Sequence, residues 1–65
     1  MKIGDRVKRK PMREMNATAL ARRGVIVEAY TPPDGKHQRM WRVRWDDDAP
    51  DDRAYPYLPI ELVIV

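Results

Sequence analysis

The chain has 65 residues and a formal net charge of +3, from 13 Lys or Arg against 10 Asp or Glu, with one His and no Cys. A chain this short is one domain, and it buries only about 60% of its unfolded surface, so stability has to come from a compact barrel-like core, from homo-oligomerisation, or from both. The totals exclude disulfide staples and thiolate metal sites. No apolar run approaches the roughly 20 residues of a membrane helix and the N-terminus lacks a signal peptide's apolar core, so the expected setting is cytoplasmic, with no membrane partner.

The charge is divided along the chain. Residues 1–44 carry twelve Lys or Arg against four acids, a net +8, and residues 45–65 carry one Arg against six acids, a net −5. A chain with two signs can bind a polyanion with one face or pair with a second copy of itself.

In chain order, "IGDRVKRK" (Ile3 to Lys10) begins with a Gly-Asp turn and then alternates, with Val7 on one side and Arg6 and Lys8 on the other. It reads as a first strand with one buried stripe, ended by Pro11. "MREMNATALARRG" (Met12 to Gly24) is the one helix-like stretch: Asn16 is the N-cap candidate, Ala17 to Arg23 are helix formers, and Gly24 suits the position just past the helix. "GVIVEAY" (Gly24 to Tyr30) is rich in β-branched residues and reads as a second strand. "TPPDGKHQ" (Thr31 to Gln38) is a turn carrying the lone His37. "RMWRVRW" (Arg39 to Trp45) alternates, placing Trp41, Val43 and Trp45 on one face and Met40, Arg42 and Arg44 on the other. "DDDAPDD" (Asp46 to Asp52) is the next turn. "RAYPY" (Arg53 to Tyr57) is a fourth strand whose Pro56 suits an edge or a bulge. "LPIEL" (Leu58 to Leu62) reads as a 3₁₀ turn and "VIV" (Val63 to Val65) as a fifth strand. The expected fold is all-β: a small, strongly bent five-stranded barrel with a long first loop and a 3₁₀ turn before the last strand.

Read together, "GDRVKRK", "RGVIVEAY", "WRVRWDDD" and the late Tyr and Leu resemble the Src-homology-3-like barrel pattern shared by Tudor, KOW and mind-bomb-type domains. The resemblance covers nearly the whole chain and implies a fold more than an activity. In wording the chain is also similar to the plasmid-borne type II dihydrofolate reductases, which open with Gly-Asp-Arg-Val and a basic cluster and end with a Tyr followed by a Leu. That likeness implies a tetramer whose pore holds NADPH and dihydrofolate. The family's pore motif is Val-Gln-Ile-Tyr. Aligned on the tyrosine, this chain has Ala54, Tyr55, Pro56 and Tyr57, so only Tyr57 matches; the family's cofactor-contacting lysine falls on Arg9, with Lys10 beside it.

Two surface constellations remain. Lys8, Arg9, Lys10, Arg42 and Arg44 form a basic set that, beside Tyr30 or Trp41, suits a phosphate backbone with base stacking, or equally a solvated face that keeps a small domain soluble. The partner expected on this reading is a nucleic acid or a nucleic-acid-associated protein, with no cofactor. Tyr55, Tyr57, Asp46 and Asp47 form a second candidate set for a cationic peptide, by cation–π attraction beside an acid loop. The plainer readings are that Trp41 and Trp45 are core and that the aspartates are a solvated turn that discourages edge association. The aspartate spacing is not that of a calcium loop. No Ser/His/Asp set, phosphate loop or metal motif is present, so side-chain catalysis is not expected and proximity in an assembled pore would be its only route.

Overall fold

Gly4 turns the chain with φ of 96°, a conformation that side chains with a Cβ rarely adopt. Its N–H donates to Ile26 O at 2.8 Å, which sets β1 (Arg6–Arg9) against β2 (Gly24–Tyr30). The structure is a computed structural model and describes residues 1–36 and 38–65; the reading of His37 as a turn residue lies outside the described residues. The remaining elements are α1 (Ala17–Ala21), β3 (Met40–Trp45), β4 (Tyr55–Tyr57), a 3₁₀ turn at Pro59–Glu61 and β5 (Leu62–Ile64). All pairings are antiparallel, in the order β4-β3-β2-β1-β5. β4 and β5 are the edges and no ladder joins them among the described residues, so the expected barrel is seen as an open five-stranded sheet.

Period-2 alternation builds the core. Val7, Ile26, Val43, Trp45 and Leu62 come from four strands and are 0 to 5% exposed, with Trp41 and Tyr57 packed against them. Burying each such side chain contributes about 1.5–3 kcal/mol before entropy is subtracted. Pro56 falls on β4, an edge strand, where a missing N–H is tolerated.

The helix is shorter than expected. Asn16 is its N-cap, accepting from Ala19 N–H at 2.8 Å, but the helix stops at Ala21 and Arg22 is extended, with φ −64° and ψ 140°. Five residues cannot hold a helix by themselves, and contacts made by Arg22 across the loop prevail. Gly24 is therefore not a helix terminator. It pairs with Val7 on one side and Trp45 on the other, and an added Cβ would lie 2.8 Å from Arg44 O, Trp45 Cε3 and Val43 Cγ1. The glycine is needed for close strand approach.

β2 contains a bulge. Ile26 opposes Val43 and Glu28 opposes Arg42, leaving Val27 as an extra residue. The bulge reverses the alternation, so Glu28 and Tyr30 share a face with Val25, away from the core. The 3₁₀ turn is closed by Glu61, whose N–H donates to Leu58 O and whose Oε1 accepts from Leu58 N–H, both at 2.9 Å.

Candidate functional site

The acid loop between β3 and β4 is largely engaged within the molecule. Asp46 takes a bidentate pair from Arg6, at 2.9 and 2.7 Å. Asp47 and one oxygen of Asp48 each accept from Arg22 at 3.1 Å, and the second oxygen of Asp48 accepts from Trp45 N–H at 2.9 Å. Asp52 accepts from Ala49 N–H at 2.9 Å. Asp51 has no side-chain partner among the described residues. The Arg6 pair holds the Asp46 carboxyl below the usual carboxylate range, through hydrogen bonding first and charge second, and raises the Arg6 guanidinium in turn.

Arg22 does more than neutralise. Its guanidinium carbon lies 4.9 Å from the centroid of a Trp45 ring, so one side chain from the first long loop is stacked on the core tryptophan and clamped by two carboxylates. Arg9 is similarly committed. Parity on β1 puts it on the same side as Val7; it lies over the Tyr57 ring at 5.1 Å and 3.9 Å from Glu61 Oε2, and its Nε is buried without a partner among the described residues.

The five basic residues singled out in sequence therefore divide. Lys8 is on the outer face of β1 and Arg44 on that of β3, and neither side chain has a partner among the described residues. Lys10 lies beyond β1, beside Met12 and Ile60. Arg9 is on the core side. Arg42 is outward but held: it stacks on Tyr30 at 4.5 Å, donates to Ala54 O at 3.0 Å and stands 3.8 Å from Glu28. Val25 pairs with Arg44 on one side and Arg6 on the other, so Arg44, Val25 and Arg6 form a row across the outer face, with strands about 4.8 Å apart. Arg53 closes this region, sharing one recess with Arg42, Arg44, Val27, Glu28 and Ala54. Arg53 is the residue sequence reading missed: it sits among acids in the chain, and only the fold carries it to the arginines of β3.

The second candidate set also divides. Tyr55 is 71% exposed. Tyr57, grouped with it as a candidate for gripping a cationic peptide, is half-buried: its ring meets Trp45 edge-on at 5.7 Å and its hydroxyl accepts from Trp45 Nε1–H at 3.3 Å. Both tyrosines line a recess with Asp48, Asp51, Asp52 and Arg22. Asp46 and Asp47 line a different one, beside Thr18 and Arg23. Trp45 is core, and Trp41 packs partly buried against it.

Among the described residues, no group of three or more His, Asp or Glu is placed to hold a metal ion, and no helix is long and apolar enough to cross a membrane. The chain matches no family model, and no curated protein or solved structure matches it significantly.

Proposed function

We propose that this chain is a small non-enzymatic binding module that receives the phosphate backbone of a nucleic acid on the outer face of its sheet. Arg44, Arg53 and Lys8 make the phosphate contacts, Lys10 adds charge at the margin, and Arg42 is fixed among them. The observation that carries this reading is how the charges are paired. Asp46, Asp47 and Asp48 are taken up by Arg6 and Arg22, so the acid loop repels a polyanion less than its composition suggests, while the side chains of Arg44, Arg53 and Lys8 have no partner among the described residues. Cations free to exchange counterions for phosphates supply most non-specific nucleic-acid affinity. The strand order, the long β1–β2 loop and the 3₁₀ turn before β5 support a Src-homology-3-like fold as the scaffold.

The pairing pattern weighs against the other readings. A cationic peptide would need Tyr55, Tyr57, Asp46 and Asp47 together; Arg6 and Arg22 occupy the two carboxylates, Trp45 and Arg9 engage Tyr57, and of the two tyrosines Tyr55 alone stands exposed. A reductase-type pore would need the tyrosine of its motif, and Tyr57 is engaged by Trp45 and Arg9 inside the chain; the adjoining motif positions hold Tyr55 and Pro56.

The test is anisotropy with a dye-labelled mixed-sequence oligonucleotide at several KCl concentrations. Wild type binds at low salt and releases as salt rises. Arg44→Glu with Arg53→Glu abolishes the salt-sensitive binding. Unchanged affinity in the double variant would count against the reading.

A further inference from the structure

Arg42 differs from its neighbours on the outer face. Arg44 and Arg53 have no side-chain partner among the described residues, whereas Arg42 is held from three directions: by the Tyr30 ring at 4.5 Å, by Ala54 O at 3.0 Å and by Glu28 at 3.8 Å. A guanidinium so restrained, with a carboxylate beside it, is poorly suited to follow a moving phosphate. It is well suited to be a flat plate, because a planar guanidinium stacked on a ring is a delocalised, weakly hydrated surface.

The bulge at Val27 makes this plate. With strict alternation from Ile26, Tyr30 would point to the core side. The extra residue moves it to the outer face, opposite Met40 and next to Arg42, in keeping with the way bulges re-aim side chains. Tyr30 is half-buried, and its hydroxyl has no partner among the described residues. The plate is continuous with the free cations, since Arg44 lies two residues along the same strand, about 7 Å from Arg42.

Bases in a duplex are stacked on each other and offer no face to a ring lying on a sheet. Bases of a single strand do, and stacking on aromatic and arginine planes beside a basic track is how such strands are held without base readout. Resting on the reading above, we infer that the nucleic acid is single-stranded: one base stacks on the Tyr30–Arg42 plate while the adjoining backbone lies against Arg44 and Arg53.

The experiment compares a dye-labelled mixed-sequence single strand with its duplex, at one salt concentration, on wild type, Tyr30→Leu, Tyr30→Phe and Arg42→Lys. Wild type binds the single strand more tightly. Tyr30→Leu loses about 5- to 150-fold in single-strand affinity, the range covered by stacking one base, and its duplex binding is unchanged. Tyr30→Phe keeps the ring and stays within about twofold of wild type. Arg42→Lys keeps the charge, loses the plane and weakens only the single strand; it decides the matter if a melting curve shows that Tyr30→Leu is unfolded. Equal wild-type binding of the two forms, or a Tyr30→Leu that binds the single strand as wild type does, overturns the inference and leaves phosphate binding standing. Failure of wild type to bind either form overturns both.

Discussion

Replacing Gly24 with Ala isolates the close strand approach on which the outer face depends. The new methyl would stand 2.8 Å from three heavy atoms: the Arg44 carbonyl oxygen, the Trp45 ring and a Val43 methyl. None is the end of a flexible side chain. The carbonyl belongs to the paired β2–β3 backbone, and Val43 and Trp45 are core residues 0 and 4% exposed. Overpacking of this kind costs about 1–3 kcal/mol, and the rigid neighbours favour the top of that range. Against it stands the lower backbone entropy of the unfolded Ala chain, worth about 0.4–1 kcal/mol. The clash prevails, for a net loss of about 2 kcal/mol, out of a total of about 3–10 kcal/mol expected for a domain of this length. Urea unfolding followed by tryptophan fluorescence reads it directly. With a slope near 1 kcal/mol per molar, the midpoint falls by about 2 M. A midpoint equal to or above wild type would refute the reasoning.

Four further outcomes are expected. Arg44→Gln with Arg53→Gln removes two phosphate contacts, so the slope of log affinity against log salt becomes shallower by roughly 1.4 to 1.8; an unchanged slope would remove those residues from the interface. Asp48→Ala strips a carboxylate that bonds both Arg22 and Trp45 N–H, and should destabilise the fold by about 1–3 kcal/mol in urea, whereas Asp51→Ala, which loses no side-chain partner among the described residues, should not. Asp46 has its carboxyl held low by Arg6, so the unfolded chain takes up this proton more readily than the folded one. The contribution is fully present above the ordinary carboxylate value of about 3.9 and is lost as pH falls through the lowered folded value. Asp46→Asn should flatten that acid limb in a pH-dependent melting series, and an identical limb in both proteins would contradict the assignment. Tyr57→Phe leaves Trp45 Nε1–H without its 3.3 Å acceptor, predicting a loss of about 1 kcal/mol and a shift in tryptophan emission.

Much of the fold was legible because alternation and punctuation agree. Trp41, Val43 and Trp45 against Arg42 and Arg44 gave the two faces of β3, Pro56 marked an edge strand, Asn16 marked a cap, and the Pro-Ile-Glu stretch marked the 3₁₀ turn. Arg9 was misplaced: in sequence it counts with the phosphate-binding set, although parity with Val7 turns it to the core side, where Tyr57 and Glu61 hold it. Other features depend on contacts distant in sequence. Gly24 reads as a helix terminator until β1 and β3 are seen to close on it. Arg22 reads as the end of a helix until Trp45 and the acid loop draw it out of helical geometry. Tyr30 is set beside the basic face in sequence, yet strict alternation from Ile26 would turn it to the core; the Val27 bulge is what points it outward, and nothing local to "GVIVEAY" marks that bulge. The site suffers most from this blindness. Five clustered aspartates suggest a negative surface, and only tertiary pairing shows that Arg6 and Arg22 engage three of them. Arg53 looks isolated among acids until the turn carries it to Arg42 and Arg44.

The most direct test of where the ligand sits is an amide and arginine side-chain NMR titration of the labelled protein with a mixed-sequence single-stranded oligonucleotide at low salt. The account predicts shifts concentrated at Val25, Tyr30, Arg42, Arg44 and Arg53, reversed by added salt, with little change at Asp51, Asp52 and Tyr55. Shifts centred instead on Asp51, Asp52 and Tyr55, or none at any position, would contradict it.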